Sequence, residues 1–132
     1  MFDKYVIGEN GFRNVAEGGK IIGFQLEVRI AYYRGLGLSM IEGFDVTVDG
    51  RQFPREENLF TVRGRTFTYK QMETEYNERW EMGEVAQLTV PLAGGLTHGP
   101  HEVSVVEILR VSYVPVLTTG KDKKTLTLQG EG

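Results

Sequence analysis

Two histidines, His98 and His101, have a type and spacing that suggest chemistry, either as metal ligands or as an acid–base pair. Side chains three residues apart share one face only where the chain is helical. Gly99 and Pro100 stand between the histidines, and Pro100 in particular does not fit a helix interior. No compact set of further ligands accompanies them, so we interpret both histidines as turn residues before a strand.

Carboxylates are the second group of candidates, because two of them can flank a glycosidic bond as acid and base. The 18 Asp and Glu residues do not single out such a pair, and we expect most of them to be exposed charges. Glu107 differs because it interrupts an apolar run. A buried carboxylate is costly unless it is paired, so we expect a structural ion pair with Arg29 or Arg110. No catalytic residue is assigned.

Aromatic and arginine side chains at predicted strand ends are the candidates for contact with a partner protein or a flat ligand. Tyr32, Tyr33 and Arg34 follow one predicted strand. Trp80 is near the end of another, with Tyr76 four positions before it in the sequence. Tyr, Trp and Arg often anchor protein interfaces, and aromatic rings also stack on sugars. Packing in the core is the competing explanation. We predict contacts by Tyr32, Tyr33, Arg34 and Trp80.

The strand that precedes the tyrosine pair carries the clearest structural pattern. Phe24, Leu26, Val28 and Ile30 alternate with polar residues, which makes one face of the strand apolar and the other polar. The 17 glycines separate short β-rich runs at spacings typical of sandwiches and barrels. We therefore predict an all-β fold, an antiparallel, jelly-roll-like β-sandwich that forms one domain over residues 1–132.

Turn residues predict the neighbouring hairpins. Residues 44–53 form a hairpin around an Asp-Gly pair, and residues 60–68 form a second one around Arg-Gly-Arg. Thr68 and Gln71 have the spacing of a capping box, which predicts one or two helical turns after the second hairpin. Another strand covers residues 85–90.

The last third of the chain contains a long apolar strand over residues 102–114. Val106 and Ile108 are out of phase with its other apolar residues, so the strand is either buried on both faces or carries a bulge. Residues 121–124 are charged and are expected to form a solvated turn. Residues 125–128 form the last short strand.

Composition limits the partners. Fifteen basic and 18 acidic residues give a net charge of −3, and the two signs are interspersed, which argues against nucleic acid as a ligand. The chain has no cysteine, so disulfides and thiolate chemistry are excluded. No apolar run reaches the roughly 20 residues of a membrane helix, and residues 1–5 lack the pattern of a secretory leader. We expect a soluble cytoplasmic protein without membrane contacts.

Short motifs are spread over nearly the whole chain. They are EGGK at 17–20, GFQLEVRI at 23–30, YYRG at 32–35, VDG at 48–50, PRE at 54–56, FTV at 60–62, GRT at 64–66, MET at 72–74, RWE at 79–81, LTVP at 88–91, GGL at 94–96, HEV at 101–103 and TLTL at 125–128. In this order they resemble the small (beta) subunit of bacterial C-glycoside deglycosidases.

The resemblance implies a β-sandwich subunit that works only in a hetero-oligomer with a larger alpha subunit. That alpha subunit would resemble sugar isomerases built on a (β/α) barrel and would carry a divalent metal, expected to be manganese, so no cofactor belongs to this chain. The complex would act as a lyase on 3-oxo C-glucosides and release a flavonoid or another aromatic aglycone. The contact candidates would then face the alpha subunit or the aglycone.

Two other functions remain open from the residues themselves. A stand-alone carbohydrate-binding β-sandwich module would bind sugars through surface aromatic rings without any partner. A stand-alone hydrolase would depend on two carboxylates of this chain. The resemblance favours an accessory subunit that is inactive by itself.

Overall fold

A computed structural model describes residues 6–30, 35–110 and 117–129 of the 132-residue chain. Its helical parts are α1 (Tyr69–Met72) and two short 3₁₀ helices at Leu38–Met40 and Arg55–Glu57. The strands are β1 (Arg13–Glu17), β2 (Lys20–Val28), β3 (Leu36–Gly37), β4 (Ile41–Val48), β5 (Arg51–Phe53), β6 (Leu59–Val62), β7 (Arg65–Thr68), β8 (Arg79–Trp80), β9 (Ala86–Pro91), β10 (Gly99–Leu109) and β11 (Thr118–Leu128).

Two antiparallel sheets pack face to face. The first has the strand order β1-β2-β9-β6-β7, and the second has the order β11-β10-β4-β5. Aromatic rings from opposite sheets meet between them: the centroids of Phe24 and Phe53 are 5.2 Å apart, and those of Phe44 and Phe60 are 5.8 Å apart. A small third sheet pairs β3 with β8. The predicted all-β sandwich with one short helical segment is confirmed.

Strand β2 has the two faces that its sequence predicts. Phe24, Leu26 and Val28 are fully buried, and Ile30, just beyond the strand, is buried as well. The alternate side chains of β2 are half-buried where their neighbours are buried. Because successive residues point to opposite faces, this single strand fixes which side of the first sheet faces the core.

Both predicted hairpins are present. Asp49 and Gly50 have φ values of 51° and 86° and join β4 to β5. Arg63 and Gly64, with φ values of 51° and 78°, join β6 to β7, so Arg65 belongs to β7 and the turn has two residues instead of three. Positive φ at both central positions produces a turn whose twist matches that of the flanking strands.

The predicted capping box begins α1. The N–H of Gln71 donates to the Thr68 hydroxyl, and the Gln71 side chain accepts from the Thr68 N–H. These two bonds satisfy backbone donors that have no partner within the helix. The helix has a single turn and leads into residues 73–84, which include β8.

Strand β10 is central in the second sheet, between β4 and β11. Its register with β4 shifts between Ile108 and Leu109, where Glu42 of β4 has no partner in β10, whereas the register of β10 with β11 is unbroken. The extra residue of this bulge therefore belongs to β4. Ile108 and Leu109 point to opposite faces of β10 and both are buried, so burial on both faces is the predicted alternative that holds at this end of the strand. The predicted extension of this strand over residues 111–114 lies outside the described residues.

The predicted turn at residues 121–124 is wrong, because these residues lie inside β11. Each of them pairs with β10, from Lys121 opposite Val106 to Lys124 opposite Val103. The charges fit a strand here because Lys121 and Lys123 are on the exposed face. Charged side chains on an outermost strand also discourage pairing with a second molecule.

Residues 6–13 form a strap that closes one side of the sandwich. The N–H of Ile7 donates to the Asp122 carboxylate over 2.9 Å, and the Lys124 ammonium donates to the Ile7 carbonyl over 2.6 Å. The N–H of Gln129 donates to the Phe12 carbonyl over 2.7 Å. The strap also pairs with β2 through a bridge between Ile7 and Val28, so it links β2 of the first sheet to β11, the outermost strand of the second.

Candidate functional site

The candidate residues predicted from sequence fall into two groups. Tyr32, Tyr33 and Arg34 lie outside the described residues, so their contact with a partner or ligand stays a prediction. Gly35, which follows them in the sequence, lies against Glu81 and against the backbone of Trp80. The chain therefore leads from this first group directly to the neighbourhood of Trp80.

Trp80 is a core residue. Its side chain has no exposed surface and packs edge-to-face on Phe44 and Phe60, with ring centroids 5.9 Å and 5.1 Å away. Its indole N–H donates to the Glu84 carbonyl over 2.8 Å, which satisfies the one polar atom of the ring. Core packing, the competing explanation for this residue, is what the structure shows. Trp80 thus anchors the loop of residues 73–84, called here the Trp80 loop.

Arg63, in the turn between β6 and β7, holds the Trp80 loop from the side. Its guanidinium donates to Glu78 over 2.7 Å, to the Arg79 carbonyl over 2.6 Å, and also to Glu84. Arg65 forms a second ion pair with Glu78. One arginine therefore ties together three points of a loop that has little regular structure.

Charge pairing in this network appears in the pKa values of its members. The hydrogen bonds to Glu84 and Glu78 raise the pKa of Arg63. The hydrogen bond from Arg63 lowers the pKa of Glu78, although partial burial opposes the shift. Burial raises the pKa of Glu84, but hydrogen bonds from Arg63 and from the Glu81 N–H outweigh it, and the net shift is downward. All three groups are therefore charged at neutral pH.

The backbone of the Trp80 loop is also bonded to the 3₁₀ helix at Leu38–Met40. The N–H of Leu38 donates to the Glu78 carbonyl over 3.0 Å, and the N–H of Ser39 donates to the Glu75 carbonyl over 3.2 Å. The loop is thus fixed on two sides, by side chains from Arg63 and by backbone from residues 38–39.

Large apolar side chains are exposed on this fixed loop. Tyr76 is 73% exposed and Met82 is 51% exposed. Leu117, which precedes the first residue of β11, is 52% exposed at the same end of the sandwich. We call this end, formed by the Trp80 loop and the turn at Arg63 and Gly64, the Trp80 end.

A histidine lies at the opposite end of the sandwich, which we call the histidine end. His101 is in β10 and only 7% exposed, so the prediction that it is a turn residue is wrong, whereas His98 is exposed in the turn before the strand. The two ring nitrogens of His101 lie 2.6 Å from the Asp49 carboxylate and 2.7 Å from the Thr97 carbonyl. Both of these atoms are acceptors, so the ring fits best when both nitrogens carry protons.

The titration of this pair follows from its contacts. Burial alone would lower the pKa of His101, but the hydrogen bonds to Thr97 and Asp49 outweigh burial and raise it. The pKa of Asp49 is lowered, first by the hydrogen bond from the Glu102 N–H and then by His101. The pair ties the β4–β5 turn to β10, which is a structural role.

Glu107 is the fully buried carboxylate that the sequence marks as exceptional. It lies in β10 between Phe44 of β4 and Gly120 of β11. Arg110, one of the two partners predicted for it, instead pairs with Glu42. Across the described ranges, no three His, Cys, Asp or Glu side chains are close enough together to hold a metal ion.

A groove of about 480 Å³ crosses the outer face of β4 and β5. Arg55 donates two hydrogen bonds of 2.9 Å to Asp45 across it, so these two charges satisfy each other. Phe53 is the one aromatic residue in its lining, and this ring is buried. The groove therefore offers no exposed ring on which a sugar could stack.

The Arg63 network is the part of this region that sequence reasoning missed. Arg63 is 15 positions from Glu78 and 21 from Glu84, and no local pattern connects residues at such separations. The available signal is the density of glutamates in the Trp80 loop, which contains five of them in twelve positions.

Within the described part of the chain, no helix has the length and hydropathy of a membrane span.

Known proteins resemble this chain along most of its length. The model of the C-glycoside deglycosidase beta subunit family matches residues 2–113. The chain is 34% identical over 122 residues to the C-glycoside deglycosidase beta subunit of Eubacterium cellulosolvens, and the alignment covers 91% of this chain and 83% of that protein.

Two further relatives come from Microbacterium. The C-glycoside deglycosidase beta subunit of Microbacterium trichothecenolyticum is 32% identical over 94 residues, which is 71% of each chain. The 3'-dehydrocarminate deglycosidase beta subunit of a Microbacterium species is 33% identical over 95 residues, covering 71% of this chain and 70% of that protein.

Proposed function

The chain belongs to the family of C-glycoside deglycosidase beta subunits, as its sequence motifs predict, and we propose that it is the accessory subunit of a carbon–carbon lyase complex. The complex removes the sugar from 3-oxo C-glucosides of aromatic aglycones such as flavonoids. The single observation that carries the proposal is the family match over residues 2–113. One of the two Microbacterium relatives is named 3'-dehydrocarminate deglycosidase beta subunit, and this name supports a substrate whose sugar is oxidised.

An oxidised sugar makes the cleavage chemically accessible. A ketone at C3 acidifies the proton on C2, so a general base can remove that proton. The electron pair then forms the C1–C2 double bond as the bond from C1 to the aglycone breaks, and the aglycone carbon takes up a proton. A divalent metal, expected to be manganese, supplies positive charge that stabilises the enolate oxygen.

We assign the metal and the base to a larger alpha subunit that resembles the barrel of a sugar isomerase. In support of this, the described residues of the present chain bring no group of three potential ligands together. Among the described residues, the titratable groups with clear pKa shifts are held in ion pairs, at the histidine end, at the Trp80 end and, for Arg55 with Asp45, in the groove on β4 and β5. The role left for the beta subunit is to hold the complex together and to contribute to the wall of the site on the aglycone side.

Reconstitution tests the proposal. The chain is purified alone and together with the alpha subunit encoded in the same genome, and release of the aglycone from a 3-oxo C-glucoside is followed by chromatography. We expect the pair to release the aglycone and this chain alone to release none. Release by the isolated chain would overturn the proposal, and so would failure of the two chains to copurify.

Calorimetry separates the carbohydrate-binding alternative from the proposed function. A stand-alone module would bind simple glycosides as an isolated chain, whereas an accessory subunit would give no heat of binding. If heat of binding is observed, Gln52→Ala, in the lining of the groove on β4 and β5, tests whether that groove is its source.

A further inference from the structure

The exposed apolar side chains of the Trp80 loop are unusual because the loop that carries them is held rigidly. Single exposed hydrophobic residues are common on protein surfaces and need no explanation. Here Tyr76 and Met82 are both exposed in one loop of twelve residues, the first before and the second after the buried Trp80 in the sequence. They belong to a loop fixed by the Arg63 guanidinium and by the backbone of residues 38–39.

Rigid presentation favours binding. Ordering a flexible loop on association costs free energy that reduces affinity, and a loop ordered beforehand avoids that cost. The Trp80 loop is ordered by contacts within this chain, including the bond from the Trp80 indole to the Glu84 carbonyl. Its exposed Tyr and Met side chains are of types that are enriched in protein interfaces.

The charges around these side chains indicate the chemistry of the partner. The Trp80 loop contains five glutamates and one arginine. Glu78 and Glu84 pair with Arg63, and Glu81 pairs with Arg79. The other two, Glu73 and Glu75, have no ion pair with any residue that the structure describes. Glu73 and Glu75, which directly precede the exposed Tyr76 in the sequence, complement a partner surface in which an apolar recess is accompanied by basic residues.

We infer that the Trp80 loop is the surface through which this chain docks on the alpha subunit, with Tyr76 and Met82 inserted in an apolar recess and Glu73 and Glu75 facing basic side chains around it. The inference rests on the proposed function, because that function supplies the alpha subunit as the partner. It goes beyond the proposed function by naming the residues that make the contact.

Binding of the purified alpha subunit to the immobilised full chain tests the apolar part. We expect the double variant Tyr76→Ser and Met82→Ser to raise the dissociation constant at least tenfold, an effect of roughly the size found for interface anchors. The matched control is Ile21→Ser with Ile22→Ser, two side chains that are 40% and 41% exposed near the histidine end. Unchanged affinity of the loop variant, or equal loss in the control, overturns the inference.

Charge reversal provides the second test, because it removes no apolar contact. We expect Glu73→Lys with Glu75→Lys to slow association and to weaken its dependence on salt, as attraction between opposite surfaces is lost. The control, Glu9→Lys with Glu17→Lys, makes the same change in net charge on exposed residues outside the Trp80 loop. If both pairs slow association equally, the effect comes from net charge and the inference fails.

The outcomes separate this inference from the proposed function. If the unmodified chain does not bind the alpha subunit, the proposed function fails and the docking site fails with it. If the unmodified chain binds and the loop variants bind equally well, the proposed function stands and the Trp80 loop is not the interface. Circular dichroism and melting temperature of each variant show whether it has folded.

Discussion

The histidine end and the Trp80 end of the sandwich use charged residues for different purposes. At the histidine end, His101 and Asp49 join the β4–β5 turn to a neighbouring strand, and the histidine ring is buried. At the Trp80 end, Arg63 joins three points of an irregular loop that exposes apolar side chains. Similar ion pairs thus secure a strand connection at one end and present a surface at the other.

The difference teaches that polar networks need not mark a catalytic centre. A cluster of shifted pKa values is often taken as a sign of an active site, yet structural ion pairs produce the same shifts. In this chain both clusters are explained by contacts that hold loops in place. The four predictions that follow test this contrast between the two ends, from the largest expected effect to the smallest.

The largest effect is expected from Trp80→Ala. Removing a fully buried indole that packs on Phe44 and Phe60 leaves a cavity and takes away the anchor of the Trp80 loop. We therefore expect a loss of about 3–5 kcal/mol in the free energy of unfolding. Urea denaturation of the isolated chain measures this loss. A loss below about 1 kcal/mol would show that the ring is not a core residue in solution.

The second prediction concerns His101 and pH. Because the folded-state pKa of His101 is raised above the ordinary 6.5, the stabilisation from its protonated ring is complete below about pH 6.5 and is lost as pH rises through the folded-state pKa. Asp49 acts at low pH instead. Because its pKa is lowered, its contribution to stability is present above its ordinary pKa of 3.8 and is lost on acidification. We therefore expect the melting temperature to fall from pH 6 to pH 9.

Substitution separates His101 from other titrating groups. His101→Gln should cost about 1–2 kcal/mol at pH 6, as expected for hydrogen bonds to a charged group, and should flatten the decline toward pH 9. His98→Gln is the matched control, because His98 is exposed in the preceding turn. A decline that persists unchanged in His101→Gln would assign the pH dependence elsewhere.

The third prediction addresses the tyrosine pair, which lies outside the described residues. We expect Tyr33→Ala to weaken assembly with the alpha subunit about fivefold, near the threshold for an interface anchor, with a smaller effect on the melting temperature of the chain alone. The two measurements are made on the same protein preparation. A parallel loss of assembly and melting temperature would mean that the ring is part of the core.

The smallest effect on overall stability is expected from Arg63→Gln, because exposed ion pairs contribute little to unfolding. Its effect should instead be local: faster hydrogen exchange at residues 73–84 with little change in melting temperature. Arg79→Gln, which removes the single pair with Glu81, is the control. If exchange in the Trp80 loop is unchanged in Arg63→Gln, the arginine does not hold the loop.

Features defined by short-range patterns were predictable from the sequence. Alternation from Phe24 to Ile30 gave the buried face of β2, and Asp49-Gly50 gave a hairpin, because each depends on neighbouring residues alone. The capping box at Thr68 and Gln71 was predictable for the same reason. The burial of β10 on both faces near Ile108 was visible as a break in phase.

Features defined by tertiary contacts were not predictable. The charges at residues 121–124 resemble a turn, but pairing with β10 and bonding of Asp122 and Lys124 to the strap keep them in a strand. Trp80 has a residue type common in interfaces, and only the packing of Phe44 and Phe60 around it shows that it is buried. Of the four contact candidates, Tyr32, Tyr33 and Arg34 stay predictions.

The strap of residues 6–13 has a consequence for biosynthesis. Ile7 is hydrogen-bonded to Asp122 and Lys124, which lie 115 and 117 positions later in the chain. These partners are therefore synthesised long after Ile7 leaves the ribosome. Until β11 emerges, the outer edge of β10 has no native neighbour, and the strap lacks its hydrogen bonds to Asp122 and Lys124. A nascent chain stalled before β11 should therefore be a client for chaperones and proteases, and the emergence of β11 should end this exposure.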